Sequence, residues 1–149
     1  MTYGMSLTLA RPCDDAVAAV RDALAQQGFG IVSEIDMQQT LHTKLGVEIG
    51  HNLILGACNP GFAYRALQAE PSVGLLLPCN VVIRGSQEGA VVEMIDPQIM
   101  VELAENPEMQ QVAGEVAEKL SAALEMPAHA QLLTAWFRGS SGSPARSCL

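Results

Sequence analysis

Apolar and polar positions along this chain fall into short runs whose period switches between that of a strand and that of a helix. Ser6 to Ala10 alternates weakly and predicts a first strand. Asp14 to Gln27 sets Val17, Val20 and Leu24 at i, i+3 and i+7, the stripe of an amphipathic helix, with Gly28 as a left-handed stop. Phe29 to Ile35 is rich in β-branched residues and predicts a second strand. Asp36 is placed to cap a short helix with Met37, Leu41 and Leu45 on one side, closed by Gly46. Leu53 to Ala57 predicts a third strand.

Three further helix starts share one device. Asn59-Pro60, Asp96-Pro97 and Asn106-Pro107 each offer a side-chain acceptor followed by a proline, which has no N–H to leave unpaired in the first turn. These predict helices over Pro60–Ala69, Pro97–Glu105 and Pro107–Leu124. The last has Val112, Val116, Leu120 and Leu124 at four-residue spacing. Between the first two, Gly74 to Arg84 and Ala90 to Ile95 predict strands joined by a loose hairpin at Gly85–Gly89.

The element order is therefore β-α-β-α-β-α-β-β-α-α. Strands joined by a hairpin run antiparallel while the helix connections suggest parallel pairs. The expectation is a two-layer α+β fold with a mixed five-stranded sheet and helices packed mainly on one face. The domain should span residues 1–126. After Met126-Pro127 the character changes, and residues 127–149 read as an extension. In it a short helix, Ala128 to Arg138, gathers Leu132, Leu133, Trp136 and Phe137, and a flexible Gly/Ser/Pro-rich tail follows from Gly139 to Leu149.

The predicted fourth strand bears on partners. By parity one face carries Leu75, Leu77, Cys79, Val81 and Ile83, and the other Leu76, Pro78, Asn80 and Val82. Both faces are mainly apolar, while one helix layer covers only one. A second copy of the chain is the economical cover for the other face, which predicts a homodimer.

Composition narrows the function. At 149 residues, 49% hydrophobic and 16% charged, the chain can bury one respectable core. The uncharged, largely apolar run Pro71 to Ile83 is 13 residues, too short to span a bilayer, and Met1-Thr-Tyr-Gly-Met-Ser has no signal-peptide pattern. The expectation is a cytoplasmic protein without membrane contact. A net charge of −8 argues against a nucleic-acid partner. The acidity is local: eight carboxylates lie between Glu93 and Glu125 against the single Lys119, read as a solvated helical face.

Candidate chemistry centres on a repeated dipeptide. LILGACNP (Leu53 to Pro60) and GLLLPCNV (Gly74 to Val81) each place Cys-Asn at or near the end of an apolar run. Cys58 precedes a helix start, where unpaired N–H groups and the helix dipole favour a thiolate and hence a nucleophile or metal ligand. Asn59 is explained as the cap of that helix. Cys79 shares its face with aliphatic residues and reads as a buried, inert thiol. Asn80 lies on the opposite face and needs a backbone partner or a polar pocket. All four cysteines, Cys13, Cys58, Cys79 and Cys148, are expected as free thiols in a reducing compartment, and their spacing makes no zinc pattern. A Cys/His pair or a Cys₂His site from Cys58, Cys79 and His51 requires the fold to bring them together. No phosphate-binding loop, dinucleotide fingerprint or hydrolase elbow is present.

LILGACNP, the following AYRAL (Ala63 to Leu67) and GLLLPCNV closely resemble the domain-of-unknown-function 302 family. The resemblance runs from about Tyr3 to Leu124, through GFGIVSEID, KLGVE, IDP and ENPEMQQVAGEVAEKL. It implies a small α+β domain, often homodimeric, with no settled activity, and its characteristic positions fall on Cys58, Asn59, Pro60, Pro78, Cys79 and Asn80. His51-Asn52 departs from it, standing where relatives tend to have an aromatic residue and then a polar one.

Three readings remain open at this stage. The leading one is a non-enzymatic homodimer that binds a small ligand or metal near Cys58, Asn59, Cys79 and Asn80, cofactor unspecified. The second is a thiol enzyme of redox or sulfur-transfer type, with Cys58 catalytic and Cys79 as its resolving partner. In the third, both motifs are structural.

Overall fold

The structure is a computed structural model that describes residues 3–137, with side chains through residue 131. Its elements follow the predicted order. They are β1 (Gly4–Leu9), α1 (Cys13–Gln26), β2 (Gly30–Asp36), α2 (Met37–Leu45), β3 (Asn52–Cys58), α3 (Pro60–Ala69), β4 (Cys79–Ser86), β5 (Gly89–Ile95), α4 (Gln98–Ala104) and α5 (Met109–Phe137), with a 3₁₀ turn over Pro71–Leu76.

The predicted stops and caps operate. Gly28 has φ +82° after α1, and Gly46 has φ +69° after α2. Asp36 Oδ1 accepts from Gln39 N at 2.8 Å, satisfying one of the orphan donors at the start of α2. Asp96 and Asn106 accept from the N–H two residues on, Gln98 N and Glu108 N, rather than three as at Asp36, and their helices begin at Gln98 and Met109, later than the predicted Pro97 and Pro107.

The five strands form one sheet in the order β1-β5-β4-β3-β2. Every pairing is antiparallel, which corrects the mixed sheet expected from the helix connections. The reason lies in α2 and α3. Each links strands that are immediate neighbours and reverses the chain between them, so it acts as a long turn rather than a crossover. The one connection spanning the sheet is α1, which carries the chain from the β1 edge to the β2 edge.

One face of the sheet holds the core. Leu53, Leu55 and Ala57 of β3 stand opposite Ile83, Val81 and Cys79 of β4, and Val92 and Met94 of β5 continue the rows. All are buried, under Val20 and Leu24 of α1 and the Val112, Val116, Leu120 and Leu124 stripe of α5. The other face is only part-covered. Ile54, Val82 and Ile95 are half-buried there, and Arg84 reaches diagonally to Glu93 (3.0 Å).

Three other expectations are corrected. The fourth strand begins at Cys79 rather than Gly74, because Pro71 to Leu76 turns as a 3₁₀ segment with Leu75 89% exposed. The apolar two-sidedness inferred for that strand is therefore reduced. The helix expected after Met126 is no separate element, since α5 runs through Pro127. Cys13, expected as a free thiol, is disulfide-bonded, whereas Cys58 and Cys79 are free. The tail Gly139–Leu149, with Cys148, lies outside the described residues, as do the side chains of Leu132, Leu133, Trp136 and Phe137.

Candidate functional site

The echo between the two Cys-Asn stretches has a geometric explanation. β3 and β4 are antiparallel neighbours in a register that sets Gly56 opposite Asn80 and Ala57 opposite Cys79. The motifs are two walls of one place. Gly56 is required for their closeness, because a Cβ there would lie 2.6 Å from Pro78 Cγ and 2.1 Å from Ser33 Oγ. Sequence reasoning assigned Gly56 no role. The available signal was a glycine inside an otherwise apolar strand, which marks a close approach.

At the end of β3 the chain turns into α3. Asn59 Oδ1 accepts from Phe62 N at 3.4 Å, the long end of the hydrogen-bond range, and Pro60 opens the helix. The loop after α1 closes on this cap, leaving only 3.0 Å between Asn59 Nδ2 and a Cβ built on Gly28. Cys58 is half-buried just before the cap, and Cys79 is buried at the start of β4.

Beneath the mouth of α3 lies a cavity of ≈ 30 Å³, room for one or two water-sized bodies. Cys58, Asn59 and Cys79 line it, with Phe62 of α3, Met100 of α4 and Met109 at the start of α5. Three of the four sequence-chosen residues thus share one void. Asn80 does not; it is exposed, one step out of phase with Cys79.

Burial, and secondarily the nearby Cys58, pushes the Cys79 thiol up to about 11, so it holds its proton at neutral pH. His51 is elsewhere. It stands at the far end of β3, seven residues or roughly 23 Å from Cys58 at about 3.3 Å per residue, with its Nδ1 3.3 Å from the Ile83 carbonyl oxygen. No Cys₂His centre forms, and among the described residues no three His, Cys, Asp or Glu side chains gather for a metal.

A polar clasp lies beside the cavity. Arg65 of α3 donates both Nη groups to Glu115 of α5, at 2.9 and 3.1 Å, with its guanidinium 5.6 Å from the centre of the Phe62 ring. The paired Arg65 holds the Glu115 carboxyl below the usual carboxylate range. Phe62, Met100 and Met109 were not chosen from sequence. They come from three different helices, and nothing in their local spacing points to a shared void.

Fold and site together define a small α+β domain with an all-antiparallel sheet and two free thiols at one apolar cavity. The family described as "Domain of unknown function DUF302" matches residues 5–126, and the chain belongs to that family. The match ends one residue before Pro127. A solved structure described as "Crystal structure of uncharacterized conserved protein DUF302 from Bacillus stearothermophilus" is similar over 85% of this chain and 98% of its own, at 24% identity and a TM-score of 0.79, a likeness of fold. No curated protein matches the chain. Among the described residues no helix is long and apolar enough to cross a membrane.

Proposed function

We propose that this domain binds a small ligand in the cavity where its two Cys-Asn motifs meet, and that it does so as a homodimer. The observation that carries the first part is convergence. Cys58, Asn59 and Cys79, picked out in two separate stretches of sequence, line one void, and the Cys58 in its wall is only half-buried. Among the described residues Asn59 is the only polar one in the lining besides the thiols, and its Oδ1 is already committed to the helix cap. With no carboxylate, imidazole or amine among the described lining residues, binding is better supported than acid–base catalysis.

The dimer reading is supported not by the fourth strand but by β2, α2 and the loop that leads into β3. Val32, Ile35, Leu45, Val47 and Ile49 are exposed there, α2 buries no residue, and β2 is an edge strand. Exposed apolar surface on an unpaired edge fits a second copy of the same chain. Asn80, exposed on the open sheet face, belongs with that surface rather than with the cavity.

A second reading is kept by one observation, that both free thiols border the same cavity. In it Cys58 is the reactive thiol of a redox or sulfur-transfer enzyme and Cys79 its resolving partner. Two measurements on the folded chain decide. Iodoacetamide should modify Cys58 while Cys79 stays protected, and xenon under pressure should shift the methyl resonances of Ala57, Val112 and Val116. A Cys58 that reacts only on unfolding, together with no xenon response, would leave the motifs structural. Turnover of a hydroperoxide or persulfide that is lost in Cys58→Ser would move the assignment to the thiol enzyme. Light scattering giving a 15.8 kDa particle at micromolar concentration removes the dimer.

A further inference from the structure

Four of the residues lining the cavity carry sulfur: Cys58, Cys79, Met100 and Met109. They come from the end of β3, the start of β4, α4 and the start of α5, so the tertiary fold and not a local motif brings them together. The two cysteines are free, and both methionines are at most 5% exposed. Among the described residues the remaining lining is apolar apart from Asn59, with no imidazole or carboxylate.

Donor softness sorts metals. Thiolate and thioether sulfur select closed-shell monovalent ions of the copper(I) kind, whereas zinc prefers three or four thiolate, imidazole or carboxylate ligands, and calcium and magnesium require oxygen. A void of ≈ 30 Å³ suits a single ion stripped of water and excludes a hydrated divalent cation with its shell. The same donors would serve as adaptable core filling in a purely structural protein. The difference is that here all four residues line one space, and one of them, Cys58, is partly open to solvent.

We propose that the cavity is a site for one soft monovalent cation of the copper(I) class, ligated by Cys58 and Cys79 with Met100 and Met109 as further sulfur donors. This rests on the ligand-binding reading above and names its ligand class. The cation replaces the thiol protons, which pass to solvent, and no electron is transferred. The N-terminus of α3 stands beside the site, and the positive end of its dipole offsets the net negative charge of a dithiolate around a single positive ion.

The test is copper(I) binding to the full chain, with ascorbate as reductant so that the Cys13 disulfide is left intact. Bicinchoninate serves as the competing chelator, and silver(I) as a probe that does not change oxidation state. The expected result is one ion per chain, an all-sulfur coordination shell by X-ray absorption, and loss of binding in Cys58→Ser. Met100→Leu and Met109→Leu, near-isosteric and apolar, should each fold and weaken the affinity by roughly 10-fold, the lower end of what loss of a supporting group costs at a metal site. They keep the question answerable if Cys79→Ser does not fold.

Binding unaffected by Cys58→Ser, nitrogen or oxygen in the shell, or unchanged affinity in both methionine variants would overturn the proposal. So would equal retention of zinc. If copper(I) and silver(I) fail while xenon still enters and Cys58 still alkylates, the metal assignment falls and the ligand cavity stands. If all fail together, both fall.

Discussion

The two ends of β3 lead into opposite kinds of structure. At its carboxyl end Ala57 and Cys58 enter a dense corner where α3, α4, α5 and β4 meet around one small void. At its amino end, by His51 and Asn52, the strand is fed by a segment that buries almost nothing. Between residues 32 and 49 none is buried, and Leu45 is 69% exposed. Both helices flanking β3 are capped by the same device, Asp36 for α2 and Asn59 for α3. Local capping therefore does not decide which end is firm. Burial does, since α3 covers a cavity wall with Phe62 and Ala66 while α2 lies over little apolar surface.

The largest test of that contrast is one deletion made on both sides. Leu55→Ala, at a fully buried core position of β3, should cost about 3 kcal/mol of unfolding free energy by denaturant titration. Leu45→Ala should cost under about 0.5 kcal/mol in dilute protein. A Leu45 effect that grows with protein concentration would sharpen the comparison, because it would mean that a second copy covers that side chain.

The next effect is alkaline. Because the folded Cys79 thiol sits near 11, the folded chain keeps a proton that the unfolded chain gives up near the ordinary thiol value. Stability from this group is complete below about 9 and is lost as pH rises to 11, by about 1.4 kcal/mol per unit, or about 3 kcal/mol in all. Cys79→Ala should flatten that limb of the stability–pH curve, whatever it does to the plateau. A limb equally steep in the variant would place its cause elsewhere.

Smaller still is the exchange of caps. Asn59→Ala should cost about 1 kcal/mol globally and speed iodoacetamide attack on Cys58. Asp36→Ala removes a shorter bond, 2.8 Å, yet should leave the global transition nearly unmoved, with faster amide exchange confined to residues 37–45. The smallest effect belongs to the exposed Arg65–Glu115 clasp. Its contribution is present above the ordinary carboxylate pKa and lost as pH falls through the depressed value, and salt should weaken it. Glu115→Gln should abolish both dependences, read as faster exchange of α3 amides at neutral pH.

Much of this architecture was legible because it is written locally. Caps, left-handed glycines and the four-residue stripe of α5 are properties of a few neighbouring residues, and they placed nearly every element. The misses share a non-local cause. Gly74 to Pro78 looked like the start of a strand because its residues are apolar, but the prolines at 71 and 78 bracket a short 3₁₀ turn that leaves Leu75 in solvent. The parallel component expected of the sheet depended on where α2 and α3 return the chain, and no periodicity records that. In the candidate site the thiols and Asn59 could be found because their dipeptides repeat. Gly56, Met100 and Met109 matter only through distances across strands and helices.

The pairing of β1 with β5, Leu7 against Val92, carries a cost during synthesis. As the chain leaves the ribosome, its opening strand has no neighbour to bond with until residues 89–95 have followed, because α1 takes the next strand to the opposite border. Closure of the sheet therefore waits on a loop of most of the domain, a slow and late event compared with the local helices. The nascent molecule passes through a stage in which its first strand is an unclaimed ribbon, and the arrival of the last strand ends its vulnerability to mispairing.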